Sequence, residues 1–208
     1  MKNGRFIIGL TGSIGMGKSE VTRMLRQAGI PVIDADAEVH KLLVKGGRAV
    51  APIKAAFPGV VKDGAVDRPS LGARVFGDDA ALKQLERIIH PMLGRGERTF
   101  MARAARNRRP IVARDVPLLF ETGGEKRCDM VLVVSAPKHI QTHRVIARPG
   151  VTLERLEQIR AKQTPDAIKR RRADHILPSG LGKRVTRQAL AKALRVAQRK
   201  AAKRYARI

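Results

Sequence analysis

Two patterns of apolar residues alternate along this chain. In the first, aliphatic residues run on without polar interruption: Phe6-Ile7-Ile8, Ile30-Pro31-Val32-Ile33, Ile111-Val112-Ala113 and Met130-Val131-Leu132-Val133-Val134. Such runs predict strands covered on both faces, as in a parallel sheet. Ala173-Asp174-His175-Ile176-Leu177 predicts a last short strand. In the second pattern apolar residues return every three or four positions. This predicts helices over Val21 to Arg26 (closed by Gly29), over Pro137 to Ala147, and over Val185 to Tyr205 with Leu190, Leu194 and Ala197 on its apolar side. Residues 37–107 carry almost only the helical period, in Val50 to Phe57 and again in Leu82 to Ile89. Within them Asp67-Arg68-Pro69-Ser70-Leu71 starts a helix, and His90-Pro91 is expected to end one helix and open another. The alternation predicts an α/β fold, a three-layer parallel sheet, with a helical insertion over 37–107 and a basic excursion over 148–173. The core then comprises 1–36, 108–147 and 174–208.

Composition adds a charge to this picture. The 208 residues hold 43 Lys and Arg against 18 Asp and Glu, which points to polyanionic partners: a nucleotide, a phosphorylated coenzyme, nucleic acid or an acidic membrane surface. Aromatic residues make up only 3%, with no Trp, which argues against a stacking platform for single-stranded nucleic acid. Cys128 is the only cysteine, so no internal disulfide exists, and a small thiol in a reducing cytosol is expected. Met1 to Ile8 has a basic flank but a short apolar run, neither a secretory segment nor a membrane span. A cytoplasmic protein without membrane insertion is the expectation. From His175 to Ile208 there are ten Lys and Arg and no acid. Arg195, Arg199, Lys200, Lys203 and Arg204 are expected to face water, or weakly to hold a polyanion without recognising any specific nucleic acid.

The chemistry starts at Gly12-Ser13-Ile14-Gly15-Met16-Gly17-Lys18-Ser19. The spacing G-x-x-x-x-G-K-[ST] between a predicted strand and a predicted helix is that of a phosphate-binding loop. Glycines let backbone N–H groups curl inward around phosphate oxygens at the positive end of the helix. Lys18 would reach the β- and γ-phosphates, and the Ser19 hydroxyl would ligate Mg²⁺. The chain is therefore expected to bind a nucleoside triphosphate. Asp34 and Asp36 follow the second strand, where open α/β sheets place their chemistry. One can serve as general base and one can cap the next helix, with Asp36 the expected cap if capping is all they do. Asp115, at the end of the strand that starts at Ile111, stands where such folds hold the water shell of the metal. Arg144, Arg148, Arg155 and Arg160, then Lys169-Arg170-Arg171-Arg172, are candidates for a lid closing on phosphates, or for a solvated basic face. His139 and His143 share a helix face, but with no third ligand a solvated pair is expected.

Together these motifs resemble the dephospho-CoA kinase family. The resemblance rests on Gly9 to Ser19, Val32-Ile33-Asp34-Ala35-Asp36 with His40, Asp67-Arg68 with Val75-Phe76, and Ile89-His90-Pro91. It continues through Asp115-Val116-Pro117-Leu118-Leu119-Phe120-Glu121, Gln141 with Arg144 and Arg148, Gln163, and Ala173-Asp174. It implies a core of the P-loop type, a helical domain receiving the CoA moiety, a lid over ATP, and transfer of the γ-phosphate to the ribose 3′-hydroxyl of dephospho-CoA. It further implies that Asp36 rather than Asp34 takes the hydroxyl proton, and that Arg144 and Arg148 are the lid arginines. Asp34, His90, Pro117, Leu118 and Leu119 would bind the acceptor. The chain departs from the family pattern at Glu20, where Thr is usual, at Pro149-Gly150 after Arg148, and at Pro178. A kinase for another small molecule and a nucleotide-gated RNA-binding switch are the rival readings. The [NT]-K-x-D stretch of a guanine switch does not occur.

Overall fold

The computed structural model describes residues 4–205; Met1–Asn3 of the basic start and residues 206–208 lie outside them. The predicted strands form one sheet. β1 (Phe6–Thr11) lies at its centre between β5 (Ile111–Asp115) and β6 (Met130–Ser135), with β2 (Val32–Asp34) and β7 (His175–Pro178) at the edges, in the order β2-β5-β1-β6-β7. The β1–β5, β1–β6 and β6–β7 pairs are parallel, and Leu10 lies opposite both Asp115 and Leu132. Every residue of β1 and β6 is buried, which is why neither run alternates. Phe6, Ile8 and Leu10, with Met130, Leu132 and Val134, pack against Val21, Met24 and Leu25 of α1 (Lys18–Gln27) and Leu190, Ala193 and Ala197 of α9 (Lys183–Tyr205). On the opposite face Val131 and Val133 pack with Leu119 and Phe120. Three further helices, α6 (Lys138–Ile146), α7 (Leu153–Ala161) and α8 (Asp166–Arg171), belong to the same compact unit, Met1–Ile33 with Ala104–Ile208.

Asp34–Arg103 forms a second compact unit. It holds α2 (Ala35–Leu43), α3 (Val50–Ala56), α4 (Arg68–Val75) and most of α5 (Asp79–Arg106), around a core of Leu43, Ile53, Phe57, Val60, Val66 and Leu71. Two expectations are corrected here. β3 (Val61–Lys62) and β4 (Ala65–Val66) make a small antiparallel hairpin whose turn, Asp63-Gly64, takes positive φ at both residues. And α5 runs straight through Pro91 instead of breaking at His90-Pro91. An interior proline removes one backbone hydrogen bond and crowds the carbonyl four residues back, at about 3 kcal/mol. Leu85, Ile88, Ile89 and Met92 pack into the same core on either side of it, and that burial keeps the helix continuous.

The structure also redistributes the basic residues. Lys169 is fully buried; its ammonium lies 3.0 Å from Glu121 Oε1 and 3.4 Å from the Pro117 carbonyl. Arg172 lies over the Phe120 ring, 4.4 Å from its centroid, and pairs with Glu125 at 2.5 Å. Two of the four cations in the run 169–172 therefore fasten α8 to the segment 117–125, and are spoken for before any phosphate arrives. Arg204 likewise turns inward, 3.1 Å from Asp129 Oδ2, while Ala201 is buried in the core. The last turns of α9 thus belong to the fold, and Arg204 leaves the set of residues expected to face water. Among the described residues no helix is long and apolar enough to cross a membrane.

Burial pushes the Glu121 carboxyl up, but the Thr164 amide and the Lys169 ammonium outweigh it and hold it below its usual 4.5. A depressed carboxyl stabilises the fold above its unfolded value, so this contribution is complete at neutral pH and is lost as pH falls below about 4.5. Glu121→Gln should lower stability by about 2 kcal/mol at pH 7, less than for a fully buried pair because the carboxylate keeps some solvent contact. Thermal unfolding of both proteins from pH 7 to pH 3 checks this, with the gap expected to narrow towards acid.

Candidate active site

The phosphate-binding loop connects β1 to α1. Gly17 caps α1 in the left-handed region (φ 87), and a Cβ on Gly12 would lie 2.7 Å from the Val134 carbonyl oxygen, so both positions demand glycine. The loop closes on itself through Met16 N–H to the Ser13 carbonyl (3.1 Å). Because Leu10 and Asp115 are register partners, the start of α1 meets the end of β5. Lys18 Nζ lies 2.5 Å from Asp115 Oδ1, and the Thr22 hydroxyl donates to Asp115 Oδ2 at 2.5 Å. Asp115 is 1% exposed, so both of its oxygens are satisfied internally.

Neighbouring segments hold the loop in place. Arg144 donates to the Ser179 hydroxyl (3.0 Å) and carbonyl (2.7 Å), and that hydroxyl donates to the Met16 carbonyl (2.5 Å). Ala136 N–H points at the Met16 sulfur, 3.1 Å away. Ser13, Met16, Lys138, Gln141, Arg160 and Asp166 line a cavity beside the loop. Glu20, the acid beside Lys18-Ser19, pairs with Arg23 at 2.5 Å and lies 3.9 Å from Lys183. The hydrogen bond from Arg23 holds its carboxyl below the usual range, and the ring of cations answers its charge.

Of the residues singled out in the sequence, Gly12 to Ser19 and Asp115 come together in this way. Arg144 is tied to the segment after β7, and Arg148 is exposed just beyond α6. The Pro117 carbonyl accepts from the Thr11 hydroxyl at 3.0 Å. Leu118 is exposed, whereas the Leu119 side chain, 1% exposed, packs beside Val131 and Val133. In the second unit Asp34, not Asp36, caps α2, its Oδ1 accepting from Ala37 N–H at 3.0 Å. Asp36 is exposed in the first turn of α2. His90 is exposed too, in an open hollow of α5 lined by Lys83, Glu86, Arg87 and Pro91. Arg160, Gln141 and Gln163 carry more of the geometry around the loop than the sequence reading gave them. The sequence marked Gln141 and Gln163 only through the family resemblance and Arg160 only as a lid candidate, and none of them as a partner of the loop backbone.

The chain matches the family model described as dephospho-CoA kinase over residues 6–181. A dephospho-CoA kinase of Paramagnetospirillum magneticum is 63% identical over 164 residues, 79% of this chain and 77% of that protein. One of Rhodospirillum rubrum is 55% identical over 88% of each. Among solved structures, the Thermus thermophilus protein TT1252 superposes with a TM-score of 0.81 at 36% identity, covering 92% of this chain and 97% of its own.

Lys18→Met should leave Asp115 buried without its cation and lower stability by about 2–3 kcal/mol. Adding Asp115→Asn should return most of that loss. Urea unfolding of the two single variants and the double variant measures the coupling directly.

Proposed function

The chain belongs to the dephospho-CoA kinase family, and we propose from this and from its site that it transfers the γ-phosphate of ATP to the ribose 3′-hydroxyl of dephospho-CoA, giving coenzyme A and ADP. One observation carries the reading at the level of residues. Within the matched span, a phosphate loop presents its lysine on a buried acid at the end of the neighbouring strand. The transfer needs positioning and charge neutralisation more than covalent chemistry. In this proposal Gly12, Ser13, Ile14, Gly15, Met16 and Gly17 supply the backbone cradle, and Lys18 neutralises charge on the β- and γ-phosphates. Asp36 takes the proton from the attacking hydroxyl as the oxygen–phosphorus bond forms, and ADP leaves with the bridging oxygen. Arg144 and Arg148 are proposed to neutralise charge on the phosphates from a lid over 148–173. Asp34 and His90 of the helical unit are proposed to bind the acceptor, as are Pro117, the exposed Leu118 and Leu119 of the sheet unit. The basic hollow around His90 suits the acceptor's phosphate groups.

Mg²⁺ fits the donors present. The Ser19 hydroxyl and the Asp115 carboxylate are hard oxygen ligands, Asp115 acting through water. The described residues hold no cluster of three or more His, Cys, Asp or Glu suited to a metal, so phosphate and water oxygens would complete the shell. The ion would neutralise charge on the transferring group. We place the protein in the cytoplasm, with Cys128 reduced. The exposed basic side of α9, at Arg195, Arg199, Lys200 and Lys203, is proposed to bind polyanions weakly and without sequence preference.

An ADP-release assay with dephospho-CoA against a panel of nucleosides tests the reading; release with a nucleoside but not with dephospho-CoA would overturn it. Lys18→Ala should cut turnover by about 10²-fold or more in a folded protein. Asp36→Asn should lower kcat about 10²- to 10⁴-fold with little change in ATP affinity. A larger loss in Asp34→Asn than in Asp36→Asn would reverse the two roles.

A further inference from the structure

Two glutamines grip the backbone at Ile14 from the same flank of the phosphate loop. Ile14 N–H donates to Gln163 Oε1 at 3.1 Å, and Gln141 Nε2 donates to the Ile14 carbonyl at 2.8 Å. Chemistry dictates which end of each amide does what. The Arg160 guanidinium, which has donors only, gives Nε (3.1 Å) and Nη2 (2.8 Å) to Gln141 Oε1. The nitrogen of Gln141 is thereby turned to the Ile14 carbonyl. Gln163 can meet an N–H only with its oxygen. Arg160 is itself held by the Thr142 hydroxyl (2.7 Å) and by Glu157 (2.6 Å), and its side chain is 15% exposed. Gln141 is 4% exposed.

The planar trans peptide carries this grip into the loop. In the unit joining Ile14 to Gly15, carbonyl and N–H point in opposite directions. Drawing the Ile14 carbonyl towards Gln141 therefore aims the Gly15 N–H away from α6. The other peptide of Ile14 is set the same way, with its N–H on Gln163 and the Ser13 carbonyl on the far side, where it accepts from Met16. A glycine-rich loop left alone samples many conformations, and ordering it at the moment of binding would cost affinity.

We propose that Gln141, Gln163 and Arg160 are positioning residues that hold the phosphate loop in its anion-receiving form and make that form depend on the placement of α7. Gln163 follows α7 and Arg160 lies in its last turn, so a displaced α7 removes one grip on Ile14 and frees the other glutamine to turn over. By linkage, whatever binds the ordered loop also favours the seated α7, and the reverse. The link to catalysis rests on the reading that the loop receives the phosphates of ATP.

The two glutamates of Gln141→Glu and Gln163→Glu add the same charge close to the same peptide, yet the proposal gives them unequal outcomes. At 163 a carboxylate still accepts from Ile14 N–H. At 141 it loses the donor and faces a carbonyl oxygen. The KM for ATP should rise about tenfold in Gln141→Glu and no more than about twofold in Gln163→Glu, with the KM for dephospho-CoA little moved in either. Equal losses would reduce the effect to charge repulsion and overturn the proposal, as would no loss in either variant. Arg160→Lys, which keeps the charge but lets Gln141 turn, should raise the KM for ATP several-fold, and an unchanged value would also count against it. Hydrogen exchange of the Ile14 amide in nucleotide-free protein reads the grip without ATP. It should quicken in Gln163→Ala and stay slow in Gln163→Glu. Unaltered exchange in Gln163→Ala overturns the clamp, whereas faster exchange with no ATP turnover in the parent protein would overturn only the ATP reading.

Discussion

A carboxylate as deeply buried as Asp115 has to be met by a cation or by donors, and here it is met by both. Lys18 takes one oxygen and Thr22 the other, so the phosphate loop, the first turns of α1 and the end of β5 are joined at one group. The arrangement depends on β5 lying beside β1 with Asp115 opposite Leu10, although more than a hundred residues separate them in sequence. It also defines what an arriving polyphosphate has to do. Under the proposed function, the phosphates of a bound nucleotide would compete with Asp115 for the same ammonium and would free a carboxylate oxygen for the proposed hydrated metal. One ion pair thus completes the fold of the site.

The large positive charge is not spread as a uniform coat. Several of its cations have fixed structural partners: Lys169 with Glu121, Arg172 with Glu125 and Phe120, Arg204 with Asp129, Arg160 with Gln141 and Arg144 with Ser179. The scarce acids are placed with equal care. Asp129 accepts from the Ile7 amide, Asp174 from the Val131 amide and Glu121 from the Thr164 amide, each joining segments more than forty residues apart. In an acid-poor chain each such carboxylate answers a backbone donor that the sheet and helices leave over, and in two of these three cases it answers a cation as well.

The two compact units differ in how their order arises. The sheet unit is built around central strands buried on both faces, and its sequence announces them. The helical unit is held by a small separate core to which α2, α3, α4 and α5 each contribute. There, one local signal was overruled, since the proline of α5 lies within a helix that its apolar neighbours keep intact, and another went unread, the Asp63-Gly64 turn of a short hairpin.

By itself the sequence determined the parallel sheet, the phosphate loop and the candidate acid at the end of β5. It could do so because uninterrupted aliphatic runs and glycine spacing are local properties, fixed by burial on two faces and by backbone sterics. It also carried the motifs that resemble the dephospho-CoA kinases. It did not tell which of two neighbouring aspartates would cap α2, since either side chain suits a cap; in the structure Asp34 is the extended residue before the helix and accepts from Ala37 N–H. Nor did it tell that Lys169 would be buried, that Leu119 would turn inward while Leu118 stayed outside, or that Arg204 would pair with Asp129. Above all it did not show Gln141, Gln163 and Arg160 meeting at Ile14. A glutamine's role depends on which atom its amide turns to a neighbour, and the neighbours here lie well over a hundred residues away along the chain. Only the tertiary structure brings donor to acceptor, and only then does a pair of ordinary polar residues become part of the phosphate loop.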